Sequence, residues 1–352
     1  MARELFIFRR NNVESRRLVH FRSSFGEIMN SAGIHRAFVT GGAGFIGSHI
    51  VDRLAQVAAN VTIYDNFSTG QEQFISHHAG NPKVRVVRAD VLDSERLKKE
   101  MANCDFVFHL QANADVRGGI KLTRVDLEQN TIATWNVLEA MRINNIRHIV
   151  FASSATVYGE PDIFPTPESY APLQTSLYGA SKLAGEAMIQ AYSEYFGITC
   201  YIFRFVSWIG ERYTHGVIFD FIKKLRDNTH MLEVLGDGKQ RKSYLDVIDG
   251  VEGIFHAVEH AKELKNVFNL GHDEFMNVLD LADLIVEELG LKRVRYLTTG
   301  GERGWLGDSP FVHLDTTKLK ALGWQPQVSI EQGIRNTVRY LQAYPQVLEK
   351  RT

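Results

Sequence analysis

Several things are scarce in this chain, and each scarcity excludes something. It has two cysteines, Cys104 and Cys200, too few for a disulfide framework. Both stand beside apolar runs and read as buried thiols of a reducing compartment, which points to the cytoplasm. No apolar run reaches 18 residues, so no membrane-spanning helix is expected. Charge of one sign is not in excess: 40 Lys and Arg face 41 Asp and Glu, for a net charge of -1. That balance argues against a general nucleic-acid binder. No internal repeat and no low-complexity segment occurs. The thirteen histidines are scattered, and the His77-His78 pair has no partner at ligand spacing, so no metal site is expected.

What is present is a chain of 352 residues, 44% hydrophobic. That is enough for about two domains, or one large α/β unit with an extension. Residues 1–34 stand apart, with arginines at 3, 9, 10, 16, 17 and 22 against Glu4, Glu14 and Glu27. They lack the apolar core of a secretory signal and read as a poorly ordered extension, or as an upstream reading frame with the functional start near Met29. From Ala37 onward, short apolar runs alternate with helical periodicity. Strands are predicted at Ala37–Thr40, Val61–Tyr64, Val84–Val87, Phe106–Phe108, Ile149–Phe151 and Thr199–Phe203. Helices are predicted at Phe45–Val57, Ser94–Met101, Leu122–Arg142 and Tyr178–Phe196. This alternation predicts an α/β fold with a mostly parallel, doubly wound Rossmann-type sheet over residues 35–205. After Phe205 the loops lengthen. Helices at Val217–Arg226, Val247–Glu259, Val278–Glu288 and Ile330–Leu341 predict a smaller C-terminal lobe over 206–352, interleaved with the first. The charged run Glu95–Glu100 reads as a solvated helix face.

The first chemical pattern is a glycine triplet between the first strand and the first helix. Gly41 suits the tight turn, Gly44 a close backbone approach to a pyrophosphate, and Gly47 the packing of helix on strand. The helix N-terminus there offers free N–H groups to an anion. Asp65 closes the second strand, 18 residues after Gly47. Its carboxylate suits the two hydroxyls of an adenosine ribose and repels a 2′-phosphate, which favours NAD over NADP. Downstream, Tyr178 and Lys182 lie four residues apart at the start of a helix, on one face. An ammonium about 4 Å from a phenol, at an effective dielectric of 20, is worth about 4 kcal/mol. That would lower the phenol toward neutrality and make it a general base. Ser154, in the loop after the fifth strand, can donate to a substrate oxygen.

Taken in order, Gly41–Gly47, Asp65, His109-Leu110 with Ala112, Ser154–Gly159 and Tyr178–Lys182 resemble the extended short-chain dehydrogenase/reductase family. The nearest likeness is to its UDP-glucose 4-epimerase-like group of NAD-dependent sugar-nucleotide epimerases, from about His35 to about Leu341. The resemblance implies that Gly41, Gly44 and Gly47, with the backbone of Phe45 and Ile46, hold the pyrophosphate of NAD. It implies that Asp65 and Asn66 meet the adenosine ribose and that Asp90 and Val91 meet the adenine. Leu110, Gln111 and Ala112 would line the nicotinamide side. Tyr178 would be the base, Lys182 its tuner and ribose anchor, and Ser154 the hydroxyl donor. Ser207, Arg241, Lys242 and Arg303 would contact the nucleotide sugar, a UDP-sugar by likeness. Asn130 falls in a helix that such enzymes use for subunit contact, so a homodimer is expected.

The implied reaction is epimerisation through oxidation at C4 and re-reduction, with no net redox change. Three departures stand out. Gln111 replaces the usual alanine, Ser207 the usual asparagine, and Lys242 the usual phosphate-binding arginine, with Arg241 beside it to compensate. Related readings share the first oxidation: a 4,6-dehydratase, a 4-dehydrogenase, or an epimerase acting at another carbon. The dehydratase expects acidic residues where Ala155 and Thr156 stand, and a sugar-uronate decarboxylase expects glutamate at Thr156. A non-enzymatic NAD-binding scaffold is the reading from another class, although such proteins commonly lose the tyrosine or the lysine. The stretch His215–Asp220 opens a helix that could touch the nucleotide base.

Overall fold

The computed structural model describes residues 33–349; the extension read at residues 1–34 lies outside them except for its last two positions. Seven strands build one central parallel sheet. They are β1 (Arg36–Thr40), β2 (Asn60–Asp65), β3 (Val84–Arg88), β4 (Phe106–His109), β5 (His148–Ser154) and β6 (Thr199–Phe205), joined at the far edge by β11 (Lys265–Leu270). Their spatial order is β11-β6-β5-β4-β1-β2-β3. The order reverses between β1 and β4, so the carboxyl ends of those two strands open a crevice, the place where such sheets bind ligands.

Alternate residues of each strand point to opposite faces, and both faces are apolar. Ala37, Val39, Val61, Ile63, Phe108, Val150 and Phe203 pack against helices α1 (Phe45–Val57) and α6 (Val247–His260). Phe38, Tyr64, Val107, Ile149, Phe151 and Ile202 pack against α2 (Ser94–Met101), α3 (Ala133–Ile143) and α4 (Leu177–Phe196). Burial on both sides explains why these strands read as continuous apolar runs.

Beyond β6 the chain forms short strands around the crevice: β7 (Ser207–Ile209), β8 (Met231–Val234), β9 (Arg241–Lys242), β10 (Tyr244–Asp246), β12 (Met276–Asn277), β13 (Arg295–Thr298) and β14 (Phe311–Val312). β9 sits between β12 and β14. Helices α5 (Val217–Asp227), α7 (Val278–Glu288) and α8 (Ile330–Ala343) back them. Among the described residues, no helix is long and apolar enough to cross a membrane. Cys200 is buried, whereas Cys104 is only half-buried, and neither is bonded to another cysteine.

The helix predicted over Leu122–Arg142 is not continuous. A helical turn at Thr123–Asp126 runs into a π-helical turn at Leu127–Ile132 before α3 begins. The Thr134 hydroxyl donates to the Asn130 carbonyl at 2.6 Å, and such back-bonding bends helices. Asp126, just ahead of the widened turn, and Asn130, within it, are both buried. Single π turns of this kind cluster at functional sites.

Candidate active site

The cofactor end is built from backbone. Gly41 has φ +70°, and a Cβ there would come within 2.8 Å of the Gln111 backbone nitrogen. A Cβ on Gly47 would lie 2.0 Å from the Gly41 carbonyl oxygen. These two positions exclude any side chain. Gly44 precedes the first residue of α1 in extended conformation. Phe45 turns its side chain inward against Tyr213, and Ile46 is half-buried. Asp65, 7% exposed, accepts the backbone N–H groups of Ala43 at 2.9 Å and Phe67 at 2.8 Å. Burial raises its carboxyl above the usual range, opposed by those two hydrogen bonds and by Arg88. Asn66 donates to the Asp90 carboxylate at 2.8 Å, and Val91 is buried beside it. The loop from Gly41 to Gly47, Asp65 and the Asn66–Asp90 pair therefore line one end of the crevice.

Across the switch point, Leu110, Gln111 and Ala112 follow β4. His109 before them bridges the hydroxyls of Thr40 (2.8 Å) and Thr134 (2.9 Å). Burial pushes its imidazole down to about 3, with Lys182 adding to the shift, so it is neutral. Gln111, one of the departures, donates to Gln129, while its own Oε1 is buried with no hydrogen-bond partner among the described residues.

The Tyr–Lys pair opens α4, whose cap is Ser176, accepting from the Gly179 N–H at 3.0 Å. Lys182 is 2% exposed. Its Nζ donates to the Ala152 carbonyl at 2.9 Å and lies 5.0 Å from the Phe151 ring and 5.9 Å from the Tyr178 ring. Burial pulls it down to about 8, against the attraction of Asp126 and Glu186. The Ser154 hydroxyl, at the end of β5, stands near enough to Tyr178 to act on its phenol. The pair thus meets Ser154 as expected, but the electrostatics differ from the sequence reading. Burial, with the negative charge of Asp126 added, pushes the Tyr178 phenol up to about 12. A desolvated phenol prefers its neutral form, and the Lys182 ammonium is turned to a backbone carbonyl rather than to the phenol oxygen. The expected drop toward neutrality is absent from the protein alone.

The residues expected to touch the nucleotide sugar lie in the later part of the chain. Arg303 pairs with Glu160 at 2.7 Å. Lys242 pairs with Asp308 at 2.5 Å and donates to the Ser309 carbonyl at 2.6 Å. Arg241 and Lys242 are neighbours on β9, so their side chains take opposite faces. Arg241 stacks on Phe311 at 4.1 Å, whereas Lys242 lies 5.8 Å from the Trp305 ring. The structure does not bring Arg241 to the side of Lys242, so the expected compensation has no geometric basis. Ser207 is exposed on β7.

Sequence reasoning missed several partners. Arg117 pairs with Asp220 of α5 at 3.1 Å and lies 5.6 Å from the Trp305 ring, tying the loop after β4 to the substrate side. Asp220 falls in the stretch expected to touch the base. On α4, Glu186 is buried in a pair with Arg204 at 2.7 Å and accepts from Ser153. The His77-His78 pair does have a neighbour: both imidazoles reach Asp52 of α1 at 2.7 Å. That carboxylate also takes Arg212 at 2.7 Å, which makes the cluster a charge-satisfied clip. None of these pairings has a local signal, because the partners lie from 18 to 160 residues apart in the sequence.

The fold and the site together define a dinucleotide-binding α/β enzyme with a Tyr–Lys couple facing a glycine cradle. The model of the NAD dependent epimerase/dehydratase family matches residues 37–271, and the chain belongs to that family. A Methanocaldococcus jannaschii protein named provisionally as a UDP-glucose 4-epimerase is 35% identical over 309 residues, covering 86% of this chain and 97% of that one. A crystal structure of a UDP-galactose 4-epimerase superimposes with a TM-score of 0.79 at 38% identity, covering 88% of this chain and 99% of its own. The dTDP-glucose 4,6-dehydratase of Streptomyces venezuelae, solved with NAD, gives a TM-score of 0.81 at 26% identity over 88% of this chain and 98% of its own. NAD is the cofactor, and the cradle fits it: Gly41 and Gly47 admit no Cβ against the protein's own backbone, which holds the turn tight against the start of α1, and the acidic Asp65 closes the neighbouring strand.

Proposed function

We propose that this protein epimerises a nucleotide sugar at C4, as UDP-glucose and UDP-galactose interconvert, and that it works as a homodimer. The observation that carries the reading is the meeting of Tyr178 with Ser154 at the carboxyl end of β5, where Ala155 and Thr156 follow without a carboxylate. A dehydratase or a decarboxylase needs an acidic group at that place for its second half-reaction, and an epimerase does not.

When bound, NAD supplies the acceptor and donor of the C4 hydride. Tyr178 takes the proton of the C4 hydroxyl and returns it to that same oxygen once C4 has been re-reduced from its opposite face. Ser154 holds that oxygen by a hydrogen bond. The neutral phenol at about 12 is the resting form; a bound oxidised nicotinamide would add positive charge that favours its ionised form. Lys182 adds a second positive charge within 6 Å of the ring. Gly41–Gly47 and Asp65 position the cofactor. Lys242 and Arg303 receive the diphosphate, displacing or sharing Asp308 and Glu160.

Exposed apolar residues support the dimer: Leu127, Ile132 and Trp135 on the π turn and α3, and Leu177 and Tyr195 on α4. A second copy would cover this surface. Proton NMR of the protein with UDP-, GDP-, CDP- and dTDP-sugars tests the function. Interconversion of the C4 epimers without accumulation of reduced cofactor supports it. Accumulating reduced cofactor would identify a dehydrogenase, a 6-deoxy-4-keto product a dehydratase, and binding without turnover a scaffold. Sedimentation that shows only monomer at micromolar concentration would contradict the dimer.

A further inference from the structure

Asp126 is the one carboxylate near the Tyr–Lys couple that pairs with no cation among the described residues. It is 1% exposed. Its Oδ1 accepts from Asn113 Nδ2 at 2.9 Å and Asn130 Nδ2 at 3.2 Å. Its Oδ2 is buried with no hydrogen-bond partner among the described residues, over Gly119, where a Cβ would approach to 3.0 Å. Asn130 reaches on to the Ser181 hydroxyl at 2.8 Å, between Tyr178 and Lys182, and holds the Asn113 backbone N–H at 2.8 Å. Asn113 directly follows the Leu110–Ala112 stretch at the nicotinamide side.

We propose that Asp126 is a positioning residue: its Oδ1 ties Asn113 of the loop after β4 to Asn130, which reaches Ser181 of α4, and its buried carboxylate charge acts on Tyr178 and Lys182. A buried ammonium needs a counter-charge. Glu186, the other carboxylate acting on Lys182, is already paired with Arg204. The charged and titratable groups facing Asp126 are Asp115 from its own loop and Lys182 and Tyr178 from α4. Tyr178 is held in its neutral form partly by this charge, after burial, and Lys182 is held in its charged form against burial. This inference rests on the reading of Tyr178 as the base.

Asp126→Asn tests it in the NAD-loaded enzyme, since it removes the charge and keeps an acceptor for the two amides. With the charge gone, the phenol ionises more easily. The ultraviolet difference titration of Tyr178, referenced to Tyr178→Phe, is expected to move down by about one pH unit. The acid limb of kcat/KM is expected to move the same way, with kcat changing more than KM. A titration and a pH profile identical to the wild type would overturn the proposal. Asn113→Ala keeps the charge and loosens the clamp; it is expected to lower kcat about tenfold, and an unchanged kcat would overturn the clamp even if Asp126→Asn fails to fold. If Tyr178→Phe interconverts sugars as the wild type does, the base and this proposal fall together. If Tyr178→Phe is inactive while Asp126→Asn titrates normally, only Asp126 loses its role.

Discussion

The two ends of the crevice are built by different physics. At the cofactor end the recognition surface is backbone, held by glycines that admit no Cβ and by a buried aspartate bonded to two main-chain N–H groups. At the end proposed for the nucleotide sugar it is side-chain charge, and three cations there are already paired: Arg303 with Glu160, Lys242 with Asp308, Arg117 with Asp220. Backbone geometry tolerates almost no substitution. Charge pairs on flexible side chains can exchange partners, so the end proposed for the diphosphate is expected to tolerate substitution better.

The contrast is broken most severely at Gly47. Gly47→Ala places a methyl group 2.0 Å from the Gly41 carbonyl oxygen. Overpacking against backbone costs about 3 kcal/mol, and the variant is expected to lose NAD from the purified protein together with several degrees of Tm. Retained NAD and an unchanged Tm would show that the cradle is looser than its geometry. Next in size is Tyr178→Phe, which removes the general base. Turnover is expected to fall by about 10²–10⁴-fold with NAD still bound, as read by assay and by cofactor extraction.

Lys182→Met sharpens the comparison in another way, because function there opposes stability. Its folded-state value of about 8 lies below the ordinary 10.5. The unfolded chain therefore holds the proton more tightly between those values, and stability rises as pH climbs from about 8 to 10.5. Below pH 8 the buried charge costs about 3 kcal/mol. Lys182→Met is expected to raise Tm at pH 7, to flatten that alkaline rise and to abolish turnover; a lower Tm would mean that the ammonium is satisfied by its surroundings. At the other end, Lys242→Ala is expected to raise KM about tenfold with NAD content unchanged. The smallest effect is expected at Ser207→Asn, an exposed position, with stability within about 0.5 kcal/mol of the wild type.

The same division explains what could be read from the sequence. The glycine triplet, Asp65 and the Tyr178–Lys182 spacing are local patterns, and a strand before and a helix after give them meaning. The doubly wound sheet was legible because strands buried on both faces are apolar throughout. What the sequence concealed depends on partners brought from afar. The Asn113–Asp126–Asn130 clamp appears only once the π turn is formed. Arg117 meets Trp305, and Asp52 meets His77 and His78, only after the chain has folded. The phenol of Tyr178 shows the limit most clearly. A helical spacing of four puts Lys182 on the right face, but the direction of its Nζ, toward the Ala152 carbonyl, and the desolvation of the phenol reverse the expected shift.

The most direct test follows a label. UDP-glucose carrying deuterium at C4 is incubated with the enzyme and its bound NAD, and the UDP-galactose formed is examined by NMR. Oxidation and re-reduction within one pocket predict that deuterium stays at C4 of the product while its configuration inverts. Exchange of that deuterium for solvent hydrogen, or release of a keto sugar with labelled cofactor, would contradict the account.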